Sequence, residues 1–176
     1  MSIYALLEEV KGKLAQAQHL AKQGDTPTWL QAALFEQQAG VSEIKGSRHD
    51  AQVLAYLDTC HKDNGGNLGD WGADRDETPW CSAFVNWCTI RAGIEPTRSA
   101  AARSWLSWGL DLDPTRRKRG AVVVLTRKGG AHVALDTGET GASGGWLLCG
   151  GNQGNRVSIA SYAESRVQGY RWPEGF

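Results

Sequence analysis

The chain has 176 residues, a length that suits one domain with a small annex and that can bury a core without disulfides. Its 19 Lys and Arg balance 19 Asp and Glu, so no bulk field favours nucleic acid or an anionic membrane. No apolar run approaches the ~20 residues that span a bilayer, and the acidic N-terminal segment lacks a signal-peptide pattern. We therefore expect synthesis in the cytoplasm, without membrane insertion.

The first part of the chain is predicted to be helical. Apolar residues at helical spacing over residues 3–22 indicate an amphipathic helix. We treat residues 1–24 as an N-terminal extension and residues 25–176 as the main domain. Two further helices are predicted over residues 26–40, with Thr-Pro as cap and first turn, and 50–60.

A fourth helix follows a long loop. Residues 63–77 are rich in Gly, Asn and Asp, which is typical of an exposed loop, and the next stretch reads TPWCSAFVNWC, residues 78–88. Thr78 is predicted to be the N-cap and Pro79 the first helical residue, with the helix stopping at Gly93.

The second half of the chain changes to strands. After a short predicted helix over residues 99–108, the segments are β-branched or alternating and are separated by Gly, Asn and Pro. The predicted strands are residues 121–126, 132–137, 145–149, 156–160 and 166–172. Helices followed by a strand meander predict an α+β fold, with an antiparallel sheet packed on the helix that carries Cys81.

The four cysteines do not form a metal or disulfide pattern. There is no C-x-x-C pair and no partner set of histidines, so we expect neither a structural zinc site nor a disulfide scaffold. Three of the four are interpreted as small buried hydrophobic residues. The cysteines are Cys60, Cys81, Cys88 and Cys149.

Cys81 differs from Cys88 in its position along the predicted helix. Cys81 lies in the first turn, where unpaired backbone N–H groups and the helix dipole favour a thiolate. Cys88 lies two turns later on the same face, where this field is absent. Position alone leaves a buried structural thiol as an equal alternative for Cys81.

A nearby general base would make Cys81 a stronger candidate for a catalytic nucleophile. His132 stands at the start of a predicted strand after a Gly-Gly turn, whereas the other histidines lie in or beside helices. A strand-end imidazole opposite a helix that starts with cysteine is what a Cys-His pair requires. The alternative is an exposed turn histidine.

A third polar group should orient the imidazole. Asp136 is four residues away, about 13 Å along a strand, and therefore out of reach. The segment CGGNQGN places Asn152 and Gln153 just past a strand end. We choose Asn152, with Gln153 as the second candidate.

Four stretches together resemble a known group of enzymes. In order, TPWCSAFVNWC, SAAARSWLSWG, GGAHVAL and CGGNQGN look like the NlpC/P60 and CHAP superfamily of papain-like cysteine peptidases and amidases, and most like its phage- and toxin-associated branch. The resemblance covers about residues 41–172. It implies a papain-like α+β fold, with Cys81 as nucleophile, His132 as base and Asn152 as third residue, and no metal or organic cofactor.

The sequence departs from the family pattern at two places. Arg119, Gly120 and Ala121 stand where members usually have Pro-Gly-Asp, so that turn is expected to differ. Gly150 stands where CHAP enzymes often have a glutamate, which weakens a fourth catalytic residue but not the triad.

Several residues near Cys81 are candidates for substrate binding. Trp71 and Trp80 could line a groove, since aromatic faces stack on sugars and peptide planes, or could pack in the core. Ser82 could help the Cys81 backbone N–H to hold an oxyanion. Glu77 could meet a free amine of a peptide, and Gln153 could also touch the substrate.

The resemblance implies a peptidoglycan hydrolase that cleaves an amide bond by a thiol mechanism. The same residues leave open a transferase that passes the acyl group to an amine, and a cell-wall-binding module that does not cut. Peptidoglycan is the expected partner. The protein would reach the periplasm either by release through a phage holin or by delivery through a secretion apparatus. In the second case a cognate immunity protein is an expected partner.

Overall fold

The computed structural model describes residues 24–46, 48–69, 72 and 74–176. The helix predicted over residues 3–22 and the candidate Trp71 lie outside the described residues, and the division at residue 24 stays a prediction. Among the residues described, no helix is both long and apolar enough to cross a bilayer.

Within the described ranges, three α-helices form one layer: α1 (Thr28–Ala39), α2 (Ala51–Asp58) and α3 (Cys81–Arg91). Each lies within a predicted helical segment. α1 ends at Gly40, whose φ of 74° is the left-handed conformation that glycine adopts without strain. The Asp50 carboxylate caps α2 by accepting hydrogen bonds from two backbone N–H groups. Short 3-10 helices cover Lys62–Asn64, Ala102–Ser107 and Glu164–Arg166.

The start of α3 differs from the prediction. Trp80, rather than Thr78, occupies the N-cap position and makes no side-chain cap. The Thr78 hydroxyl instead donates to the Gly72 carbonyl and closes the preceding loop. As a result Cys81 is the first residue of α3, closer to the helix terminus than the sequence suggested.

Six antiparallel strands form one sheet in the order β1-β6-β2-β3-β4-β5. The α+β prediction is confirmed, and all five predicted strands are present with shifted ends. The two-residue β1 was not predicted, because so short a strand carries no alternation. The strands are β1 (Leu110–Asp111), β2 (Val122–Arg127), β3 (Gly130–Thr140), β4 (Trp146–Gly150), β5 (Ser158–Tyr162) and β6 (Val167–Trp172).

The register leaves one edge of β3 uncovered near its start. β3 pairs with β2 from Gly130 to Leu135, but with β4 only from Leu135 onward, opposite Cys149. The first five residues of β3 therefore have no β4 partner. The N-terminus of α3 lies against this free edge, where the Val133 backbone N–H reaches the Cys81 sulfur.

An aromatic cluster joins the helices to the sheet. The ring centroid of Tyr56 lies 5.8 Å from that of Trp80 and 5.2 Å from that of Phe84, and all three side chains are fully buried. Gly151 packs so closely on Trp80 and Phe84 that a Cβ there would come within 2.6 Å of either residue. Only glycine allows the loop after β4 to approach α3 in this way.

Candidate active site

Cys81 is held at the N-terminus of α3 and is 5% exposed. Burial raises the pKa of its thiol, while the backbone N–H groups of Val133 and Ser82 and the charge of Arg127 act in the opposite direction. The expected N–H groups are thus present, but desolvation outweighs them. The low thiol pKa expected from the sequence is wrong for the free protein, whose resting state is a neutral thiol.

His132 lies on β3 opposite Leu125 and is 5% exposed. Its Nε2 is 3.1 Å from the Gln153 Oε1. The Gln153 Nε2 donates to the Ser158 and Leu148 carbonyls, and the Tyr162 hydroxyl lies 2.8 Å from Oε1. Because the amide nitrogen is committed to two carbonyl acceptors, its oxygen must face the ring.

This amide orientation selects one tautomer of His132. Oε1 can only accept, so the His132 Nε2 must carry the proton and donate it. The Nδ1 lone pair is then the one free to take a proton. Burial lowers the pKa of His132 to about 4, the Gln153 hydrogen bond opposes this shift, and Arg127 and Arg166 add to it. The imidazole is therefore neutral near pH 7, as a general base must be.

The residue that orients His132 is Gln153 rather than Asn152, which corrects our first choice. Asn152 has a φ of 55°, in the left-handed region, and no hydrogen bond from its side chain reaches any described residue. This turn rotates the chain so that the next side chain, Gln153, points inward. The sequence identified the segment but missed the position by one residue.

Two candidate substrate residues have structural roles instead. The Ser82 hydroxyl is buried, donates to the Ser99 carbonyl and accepts from the Trp105 indole, so only its backbone N–H is available near the sulfur. Trp80 is fully buried and donates its indole N–H to Glu43 over 2.8 Å. It packs in the core and does not line a groove.

Glu77 lies apart from the residues that line the cavity at Cys81. Its Oε2 is 3.6 Å from His49 Nδ1, and with Asp76 these residues place ligand-type atoms within 4.8 Å of one another. The two oxygens of the buried Asp76 already accept from His49 and from the backbone N–H groups of Ile44 and Asp50. The group is thus an anchor that ties two loops together.

Cys81 opens into a cavity of about 340 Å³. One wall is residues 100–103, which run into the first turn of the 3-10 helix Ala102–Ser107, and the other is the β2–β3 turn with its flanking residues. Asn86 of α3 fixes the first wall, since its Oδ1 accepts from the Arg98 N–H and its Nδ2 donates to the Ser99 carbonyl. Sequence reasoning missed Asn86 and also Tyr162, because each acts on a segment distant in sequence.

Comparison with solved structures finds chains similar to this one. The P60 domain of an antigen from M. avium paratuberculosis matches with a TM-score of 0.50 and 16% identity, over 89% of this chain and 98% of that domain. The peptidoglycan hydrolase RipB from Mycobacterium tuberculosis matches with a TM-score of 0.38 and 18% identity, over 88% and 83%. No family model and no curated protein matches the sequence. The predicted NlpC/P60-like fold is confirmed by the first likeness.

Proposed function

We propose that the protein is a cysteine hydrolase that cleaves an amide bond of peptidoglycan. The observation that carries this proposal is the joint placement of three groups. A thiol at the N-terminus of α3 faces the free edge of β3, and the imidazole on that edge is held by Gln153 in the tautomer of a base. A P60-like fold around these groups favours the cell wall as the substrate.

The first step in the proposed reaction is acylation. As the Cys81 sulfur attacks the amide carbon, its proton passes to His132 Nδ1, and the imidazolium is stabilised through Nε2–H to Gln153. The N–H groups at the start of α3, those of Cys81 and Ser82, would hold the oxyanion. His132 then returns the proton to the leaving amine, and the amine departs.

The second step releases the acyl group. Water gives a proton to His132 as its oxygen attacks the thioester carbon. The C–S bond then breaks, His132 returns the proton to the Cys81 sulfur, and the acid product leaves and ionises to a carboxylate. Because the resting thiol is neutral, attack and proton transfer are coupled. A reaction that began from a preformed thiolate-imidazolium pair would need a lower thiol pKa and a higher imidazole pKa.

A transferase remains the second candidate on the same residues, since an amine that enters in place of water would accept the acyl group. A wall-binding module is less favoured. Nothing in simple binding requires the Gln153 network that sets the His132 tautomer.

The test is digestion of purified sacculi with wild-type protein and the Cys81→Ala variant, with the products resolved by mass spectrometry. We expect soluble fragments from the wild type alone. Fragment masses then identify the bond, and a mass increase equal to an added amine would indicate the transferase. Equal release by both proteins would exclude the thiol mechanism, and binding without release by either would favour the wall-binding module.

A further inference from the structure

Three basic side chains line the same cavity as Cys81. Arg103 comes from the 3-10 helix Ala102–Ser107, and Arg127 and Lys128 come from the opposite wall, at the turn between β2 and β3. All three are exposed to solvent. Two walls that are distant in sequence thus bring positive charge to the mouth of one cleft.

Some basic side chains among the described residues have an acidic partner, and these three do not. Arg117 pairs with Asp136, and Arg98 pairs with Glu95. Within the part of the chain that the structure describes, Arg103, Arg127 and Lys128 make no ion pair, and the cavity is lined by no carboxylate. Since the whole chain is electrically neutral, this excess is local.

The walls hold the cations in place. The β2–β3 register runs to the last pair, Arg127 opposite Gly130, so the turn is short and anchored by the sheet. The wall that leads to Arg103 is fixed by Asn86. Burial raises the pKa of the Cys81 thiol and is the main influence on it, whereas the charge of Arg127 lowers this pKa. This guanidinium is therefore within electrostatic range of the reacting sulfur.

We infer that Arg103, Arg127 and Lys128 form a binding site for a carboxylate of the substrate, next to the bond that Cys81 attacks. The inference rests on the proposed function for the reaction itself, and adds that the favoured peptide is anionic at this position. Guanidinium groups suit a carboxylate because they donate two parallel hydrogen bonds. The carboxylate can be a side-chain group within the peptide or its C-terminus.

The first test does not depend on catalysis. Cys81 is alkylated either by iodoacetate, an anion, or by iodoacetamide, its neutral analogue, and peptide mass spectrometry measures the rate at Cys81. The ratio of the iodoacetate rate to the iodoacetamide rate reports the electrostatic potential at Cys81, because a change in the reactivity of the thiol alters both rates equally. We expect the ratio to fall about tenfold or more at low salt in the triple variant Arg103→Gln, Arg127→Gln, Lys128→Gln.

The control variant is Arg116→Gln, which removes an exposed cation outside the cleft. It should leave the ratio within about twofold of the wild type. Added salt should lower the wild-type ratio toward that of the triple variant. An equal ratio in wild type and triple variant would overturn the inference.

The second test identifies the source of the carboxylate. Synthetic wall peptides are compared in three forms: unmodified, amidated at the side-chain carboxylate, and amidated at the C-terminus. We expect one amidation to raise KM for the wild type about tenfold or more, and the same change to matter little for the triple variant. If neither amidation affects KM, the inference is wrong. Failure of the proposed function would look different, because no peptide would be cleaved while the alkylation ratio still fell in the triple variant.

Discussion

Replacement of Gln153 by leucine tests the most specific feature of the site, the amide that orients His132. Leucine places an apolar side chain of similar size at this position, but it can neither accept from the His132 Nε2–H nor donate to a carbonyl. In the native protein Oε1 lies 3.1 Å from Nε2 and 2.8 Å from the Tyr162 hydroxyl. Gln153→Leu therefore frees the ring and removes the acceptor that the imidazolium would use.

The expected size follows from these contacts. A hydrogen bond to a charged group contributes about 1.5–3 kcal/mol, and His132 is charged only during turnover. Its loss should lower kcat/KM by about 10- to 150-fold, since each ~1.4 kcal/mol is tenfold. The Tyr162 hydroxyl and the Ser158 carbonyl also lose a partner, so we expect stability to fall by about 2–4 kcal/mol.

The matched control is the neighbouring residue, Asn152. Its φ of 55° suits glycine, so Asn152→Gly removes the side chain without backbone strain. We expect kcat/KM on muropeptides to change less than about threefold. A Tyr162→Phe variant removes only the hydrogen bond from the Tyr162 hydroxyl to Oε1. Its kcat/KM should lie between those of Gln153→Leu and Asn152→Gly.

Two measurements separate an orienting role from a purely structural one. Nitrogen NMR shifts of His132 should show a single tautomer with Nε2 protonated in the wild type and in Asn152→Gly, but a mixture in Gln153→Leu. Denaturant melts give the stability loss independently of activity. Full activity in Gln153→Leu would refute the reasoning, and a tenfold loss in Asn152→Gly beside it would show that Asn152 has the role assigned to Gln153.

Four other predictions follow from burial and packing. Because burial raises the Cys81 pKa above 9.0, its alkylation by iodoacetamide should still accelerate above pH 9, and a rate that levels off below pH 8 would contradict this. The pKa of His132 is about 4 in the folded protein, against an ordinary value of 6.5, so the unfolded chain binds more protons between these values. Stability should therefore drop by about 2 kcal/mol from pH 7 to 5, an effect that His132→Asn abolishes in urea melts. Trp80→Ala should cost about 3–5 kcal/mol in the same melts, and a cost below about 1 kcal/mol would mean that the side chain is not core. Gly151→Ala should displace the loop that carries Gln153 and lower both melting temperature and kcat/KM, whereas Gly154→Asn, at a φ of 68° with open space, should be tolerated.

Much of the fold could be read from the sequence because its signals are local. Helical spacing, Gly and Pro punctuation and strand alternation placed the three described helices and five of the six strands. Cys81 at a helix start and His132 at a strand start also follow from local pattern, and both occupy those positions. The P60-like fold agrees with the order of the four stretches that suggested it.

Properties that depend on contacts across the sequence required the tertiary structure. Whether Asn152 or Gln153 meets His132 depends on one left-handed residue after β4. The Trp80 indole lies in the core because Gly151 lets the loop close over it, and the Cys81 thiol is neutral because burial outweighs the helix terminus. The cationic walls of the cleft come from segments about 25 residues apart, one held by Asn86 and the other by the register of β2 and β3. Local pattern determined which groups exist, and packing decided which of them meet and in what charge state.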